Sequence, residues 1–215
     1  METSGPIDSQ PLPSDNALSV EFWEQHYQEG RARWNLGQPA PPFVSWLKAA
    51  NAPPPGKTIV LGSGPGYEAM LFAERGFEVT AVDFAPSAIA EASQAAAQQD
   101  LPIQFLQRDI FDLVPEFAGQ FDYVVEHTCF CAIDPSLRTA YVDLVASLLK
   151  PGGELLALFF THNRPGGPPF GSTPAQIRQL FEPKFTVLSL RPETHSIEAR
   201  QGEEHVGHFH LRPTG

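Results

Sequence analysis

The chain has 215 residues, 42% of them hydrophobic, which suits one folded domain and is too apolar for disorder over most of the length. Lys and Arg number 14 against 25 Asp and Glu, a formal charge of −11 that argues against charge-driven binding of nucleic acid or an anionic membrane. Two cysteines, Cys129 and Cys131, offer neither a disulfide framework nor zinc-site spacing, so no metal is expected.

Residues 1–17 carry Pro, Ser, Asp and Asn with few apolar anchors and read as a flexible tail. They lack the basic start and apolar core of a signal peptide, and no apolar run reaches the ~20 residues of a membrane span, so the cytoplasm is the expected compartment. Val20, Phe22, Trp23 and Tyr27 suit a short amphipathic helix over 19–27, and 43–50 suits a second one started by Pro41-Pro42. Between them 30–42 is irregular and holds Trp34. A short apolar run at 58–61 stops at glycine, as a buried parallel strand does. Then follow a helix over 67–75 ended by Gly76, a strand at 78–82, an Ala-rich helix over 86–99, and strands at 103–106 and 121–125. An amphipathic helix over 137–150 is closed by Pro151-Gly152-Gly153, before a strand at 154–160. This alternation predicts an α/β fold, a mostly parallel sheet with helices on both faces. After a Gly/Pro-rich loop at 165–174 and a short helix at 175–181, strands at 185–190 and 207–211, with a possible third at 196–200, would add an antiparallel pair at the sheet edge.

The strongest local signal runs Val60-Leu61-Gly62-Ser63-Gly64-Pro65-Gly66-Tyr67-Glu68, between the first strand and a helix. Glycines let the backbone approach a ligand, and a helix N-terminus adds free N–H donors. Asp83 ends the next strand, where an acid can accept hydrogen bonds from ribose hydroxyls. A dinucleotide fingerprint counted from Gly64 through Gly66 to Ala69 also exists, so spacing alone leaves an NAD-dependent oxidoreductase open, as well as a tight turn with no ligand.

Gly62-Ser63-Gly64-Pro65-Gly66 with Asp83, and Pro151-Gly152-Gly153-Glu154 before an apolar strand, resemble the cofactor loop and fifth-strand motif of class I S-adenosylmethionine methyltransferases. Within that superfamily the chain resembles the thiopurine S-methyltransferase family, in particular its plant-type thiol and halide methyltransferase branch, from about Phe22 to Phe185. The carriers are Trp23 and Trp34 with Gly37 and Pro39, Asp109-Ile110-Phe111, and Phe121-Asp122-Tyr123. More discriminating are Phe130-Cys131-Ala132-Ile133-Asp134-Pro135 with Arg138, and Gly166-Gly167-Pro168-Pro169-Phe170.

The resemblance implies a Rossmann-like seven-stranded sheet with an antiparallel C-terminal strand, in one domain over 18–215. Residues 18–52 would form lid helices, 57–160 the cofactor-binding core, and 161–215 the substrate-side loop and edge strands. It places Gly62, Ser63, Gly64, Gly66 and Phe84 against S-adenosylmethionine, with Gly62 at the methionine end, Asp83 at the ribose, and Asp109 and Ile110 flanking the adenine. Trp23, Tyr27 and Trp34 would cover the cofactor, where aromatic faces attract a sulfonium. Tyr27 stands where the branch often has a third tryptophan, and Glu126-His127 where it usually has Asp-Tyr. Both members of that pair are assigned to the cofactor side and to catalysis, His127 as possible base or substrate orienter because imidazole titrates near working pH. Phe130, His162, Arg164, Pro169 and Phe170 are the candidate substrate contacts. The expected reaction moves a methyl group to a small thiol, sulfide, selenium compound or halide, in a monomer. Amine or carboxylate methylation, and cofactor binding without catalysis, remain alternatives.

Overall fold

The computed structural model describes residues 18–32 and 34–213; the tail expected over 1–17 lies outside them. The core is a seven-stranded sheet in the order β3-β2-β1-β4-β5-β7-β6. Strands β1 (Lys57–Leu61), β2 (Glu78–Asp83), β3 (Gln104–Gln107), β4 (Phe121–His127) and β5 (Leu149–Phe160) pair in parallel. β7 (Glu204–Leu211) runs antiparallel between β5 and β6 (Phe185–Pro192). The order reverses between β1 and β4, which opens a crevice at their carboxyl ends, where sheets of this kind bind ligands.

Alternation along the strands sends side chains to two cores. Ile59, Leu61, Val124, Leu155 and Phe159 face Tyr141, Val145 and Leu148 of α5 (Arg138–Leu148) and Phe181 of α6 (Pro174–Phe181). Val60, Val79, Val125, Leu156 and Leu158 face Phe72 of α3 (Tyr67–Glu74) and Phe43 of α2 (Pro41–Trp46). Helix α4 (Pro86–Gln98) buries Ala88, Ala92 and Ala96, a stripe of small residues that lets it lie close to its neighbours. α1 (Val20–Gln28) is capped by Ser19, whose hydroxyl accepts from Phe22 N, and buries no residue fully.

The possible strand at 196–200 is instead a 3₁₀ turn, Glu198–Arg200. The turn is closed by Arg200 N donating to Ile197 O at 2.9 Å, and it carries the chain into β7. The helix predicted over 137–150 stops at Leu148, and Leu149 and Lys150 open β5 ahead of the Pro-Gly-Gly segment. α2 ends at Trp46, short of the predicted Ala50.

Candidate active site

The crevice is floored by the loop that leaves β1. Gly62 (φ 58°) and Gly66 (φ 82°) sit in the left-handed region, and a Cβ on either would lie 2.9 Å from Cys129 Sγ or Ala92 Cβ respectively. Only glycine satisfies both the backbone angle and the contact. Ser63 N donates to Val82 O at 2.9 Å, and Gly64 N donates to Asp83 Oδ2 at 2.9 Å. Asp83 Oδ1 accepts from Ala85 N at 2.9 Å, so one carboxylate braces the glycine loop and the start of α4. Burial pushes the Asp83 carboxyl above its ordinary pKa, against the backbone N–H groups that favour its charge. Two oxygens with about four acceptor sites retain capacity for further donors such as hydroxyls. The next strand end lies alongside: Arg108 N donates to Asp83 O at 3.0 Å, which brings Asp109 and Ile110 beside Asp83. Asp109 caps a short turn by accepting from Phe111 N at 2.9 Å, and Ile110 is buried.

An aromatic cover closes the crevice from α1 and the segment after it. Trp34 packs edge-on against Trp23 at 5.0 Å and Tyr27 at 5.5 Å, and its Nε1 donates to Tyr27 Oη at 3.0 Å. That hydroxyl lies 3.1 Å from where a Cβ on Gly64 would stand. Burial, and then the Asp83 carboxylate, raise the Tyr27 phenol well above its usual pKa. The Glu24 carboxylate accepts from Ser87 N at 2.9 Å and from the Ser87 hydroxyl, pinning α1 to the first turn of α4. Behind the cover is a cavity of about 30 Å³ lined by Trp34, Gly62, Gly64, Tyr67, His127 and Thr128. Outside it an open groove of about 520 Å³ runs past Tyr27, Gly37, Tyr67 and Glu91.

His127 ends β4 within a buried polar chain. Its Nδ1 lies 3.1 Å from Glu68 Oε1, and its Nε2 is 3.1 Å from Arg200 Nη1. Arg200 also reaches Glu204 Oε1 at 3.2 Å and the Trp34 carbonyl at 3.3 Å, and Glu68 Oε1 accepts from Ala40 N at 3.0 Å. Burial works against the charge on Glu68, but His127 and the Ala40 N–H outweigh it and hold the carboxyl below its ordinary pKa. A guanidinium only donates, so His127 Nε2 is the acceptor and the ring proton sits on Nδ1, toward Glu68. Thr128 follows at φ 62°, rare for a β-branched residue, with its Oγ1 donating to His127 O at 2.7 Å.

Several predicted site residues stand elsewhere. Glu126, 1% exposed, turns to the opposite face of the sheet, where it accepts from Tyr141 Oη at 2.5 Å and Phe130 N at 2.9 Å. Burial pushes its pKa up to about 7. Phe130, 1% exposed, is core between Tyr141, Phe159 and Phe181. Arg164 is on the surface in an ion pair with Glu203, so its charge already has a partner. Pro169 and Phe170 belong to a loop held from behind: Arg138 donates to the carbonyls of Gly171 at 3.0 Å and Phe170 at 3.1 Å, and Phe170 N donates to Cys131 O at 2.6 Å. His162 opens that loop, bridged to Ser172, with its Nε2 buried and without a partner among the described residues. The structure thus gathers Trp23, Tyr27, Trp34, the glycine loop, Asp83 and His127, and sets Glu126 and Phe130 in the core.

Glu68, Thr128, Glu24 and Arg200 went unassigned from sequence. Glu68 had a readable signal as an acid in the first turn after the glycine loop. Arg200 had none, because its partners on the crevice side lie far away along the chain.

The residues fit S-adenosylmethionine. The Ser63 hydroxyl is buried with no partner among the described residues, beside a glycine cradle, next to a buried acid and under aromatic faces. Among the described residues no His, Cys, Asp and Glu group could hold a metal ion, and no helix is long and apolar enough to cross a membrane.

The thiopurine S-methyltransferase family model matches residues 18–212. A probable thiol methyltransferase 2 of Arabidopsis thaliana is 30% identical over 92% of this chain and 87% of its own, and a thiocyanate methyltransferase 1 of the same plant is 29% identical over 87% and 83%. A thiopurine S-methyltransferase of Legionella pneumophila is 25% identical over 80% and 85%. In fold, the 1,6-didemethyltoxoflavin-N1-methyltransferase of Burkholderia thailandensis, solved with S-adenosylhomocysteine bound, superposes with a TM-score of 0.77 at 21% identity over 97% of this chain and 94% of its own. With the family model spanning nearly all the described residues, this chain is an S-adenosylmethionine-dependent methyltransferase and belongs to the thiopurine S-methyltransferase family.

Proposed function

We infer that the methyl acceptor is a small soft nucleophile: a thiol, hydrosulfide, selenium compound or halide. The observation that carries this reading is the state of His127. It lines the inner cavity, yet Arg200 occupies one of its ring nitrogens and Glu68 the other. His127 is thus left with no free ring nitrogen to strip a proton from an acceptor, which favours nucleophiles that are already anionic near neutral pH. Many thiols come close to that condition, and halides meet it outright. The named relatives, thiol and thiocyanate methyltransferases, support the same class. Family membership leaves the NAD reading without support.

S-adenosylmethionine supplies an electrophilic methyl group on a sulfonium. This chain's residues hold and screen it. The glycine loop and Ser63 would take the methionine end, Asp83 and Phe84 the ribose, and Asp109 and Ile110 the adenine side. Trp23, Tyr27 and Trp34 exclude water and present ring faces to the positive charge. Orientation of the two reactants in a dry crevice then carries the rate. Pro169, Phe170 and His162 would border the acceptor side. A monomer in the cytoplasm belongs to the same reading, on family and composition alone.

The test is methyl transfer from labelled S-adenosylmethionine to hydrosulfide, thiols of graded pKa, iodide, an amine and a carboxylate. Turnover is expected with the sulfur and halide acceptors only. For thiols, kcat/KM should rise with pH and level off at each thiol's own pKa. A profile that stays put when the thiol is changed would restore an enzyme base and refute the reading. Turnover with the amine or carboxylate control would move the acceptor class.

A further inference from the structure

The inner cavity of about 30 Å³ has the cover on one side and the core on the other: Trp34 walls it from the cover, and Gly62, Gly64 and His127 wall it from the core, so a ligand seated there lies beneath the Trp34 segment. The cover is tied down at two places. On the outside, Glu24 holds α1 to Ser87 on α4. On the inside, Arg200 Nη2 donates to the Trp34 carbonyl, and farther along, just past Pro39, Ala40 N donates to Glu68. Between these ties, Gly30 (φ 64°) and Gly37 (φ 69°) hold left-handed backbone, and among the described residues no atom lies within 4 Å of a Cβ position at either.

Arg200 has the features of a controlled tie rather than a chance contact. It is 8% exposed, its guanidinium lies 5.6 Å from the Phe160 ring, and its direction is set by Glu204 Oε1 and by His127 Nε2. Those partners belong to β7 and to the end of β4, the rigid part of the fold. The acceptor on the cover is a main-chain carbonyl, so the tie leaves the Trp34 indole to its own contacts with Trp23 and Tyr27.

We propose that Arg200 is a positioning residue that latches the Trp34 segment over the cofactor, oriented through the buried chain Glu68–His127–Arg200–Glu204. Cofactor exchange then requires the Arg200–Trp34 carbonyl bond to open, and residence time follows the strength of that tie. This explains the departure at position 127 without a base: an imidazole with Nδ1 on a carboxylate offers Nε2 as a fixed acceptor for the guanidinium.

The test is Arg200→Met, which keeps the stem and removes the donors, with Arg200→Lys as the second variant should the first not fold. Two readouts are independent of any acceptor, so they stand apart from the acceptor assignment. In stopped-flow tryptophan fluorescence, S-adenosylhomocysteine should dissociate about tenfold faster or more from Arg200→Met, which loses the Trp34 carbonyl bond together with those to His127 Nε2 and Glu204 Oε1, and by less from Arg200→Lys, which keeps a donor. In the ligand-free protein, amide hydrogen exchange across residues 34–40 should quicken while β1 and β4 keep their protection. Unchanged dissociation with unchanged exchange over 34–40 overturns the proposal. So does a loss of turnover carried entirely by a raised acceptor KM with wild-type dissociation, which would place Arg200 on the acceptor instead.

Discussion

Glu126 permits a quantitative test of what holds the turn beneath the crevice. Its carboxylate is buried against Tyr141 Oη and Phe130 N, and burial lifts its pKa from 4.5 to about 7 because these two donors do not replace the lost hydration. A carboxyl whose folded pKa is raised adds stability in full below its unfolded pKa and loses it as pH rises through the folded value. At about 1.4 kcal/mol for each tenfold change in proton affinity, the gap amounts to about 3 kcal/mol, lost between about pH 4.5 and 7. Glu126→Gln removes the titration and keeps the shape: the amide oxygen can accept from Phe130 N, and the NH₂ can donate to Tyr141 Oη. Urea unfolding of both proteins from pH 4.5 to 8 should therefore show the variant gaining on the wild type, by about 3 kcal/mol in total. A difference in unfolding free energy that stays constant over that range would refute the burial argument.

Gly62→Ala should cost about 1–3 kcal/mol of stability and weaken S-adenosylhomocysteine at least about tenfold by calorimetry, since alanine at φ 58° is strained and its Cβ meets Cys129 Sγ at 2.9 Å. Asp83→Asn sets an NH₂ against one of the two N–H groups that the carboxylate accepts; cofactor affinity should fall about tenfold or more, and an unchanged affinity would remove Asp83 from the ribose site. Phe130→Ala should lower stability by about 3–5 kcal/mol, as for a buried aromatic; a raised acceptor KM in a protein of wild-type stability would return it to the substrate site.

The central parallel strands and the glycine loop were legible because each is specified locally. An apolar run that stops at glycine and restarts as a helix has few other folds open to it. The edge was harder to read. The stretch at 196–200 has Ile197 as its one β-branched residue, and a local 3₁₀ turn closed by Arg200 N on Ile197 O forms there instead of a strand. The cover was half readable: Trp23 and Trp34 were assigned to it, but the Glu24 to Ser87 tie and the Arg200 to Trp34 carbonyl tie span 63 and 166 residues of chain, and no local pattern records them.

The pair at the end of β4 shows why adjacent residues could not both serve the site. Side chains on a strand alternate between faces, so Glu126 and His127 cannot share one crevice while both remain in β4. Val124 already faces the core of α5 and α6, and Val125 the core of α2 and α3. Continuing that alternation puts Glu126 under Tyr141 and His127 beside Glu68 and Phe43, as observed. The two positions therefore carry different tasks. The first braces the turn that presents Thr128, and the second anchors the guanidinium that reaches the cover. Exchanging the two side chains, Glu126→His together with His127→Glu, should then fail on both counts. An imidazole would lie against Tyr141 where a carboxylate held Phe130 N, and a second carboxylate would be set against Glu68. The measurable outcome is loss of the folded protein, and a stable swapped variant that binds S-adenosylhomocysteine at wild-type affinity would show that alternation does not divide these roles.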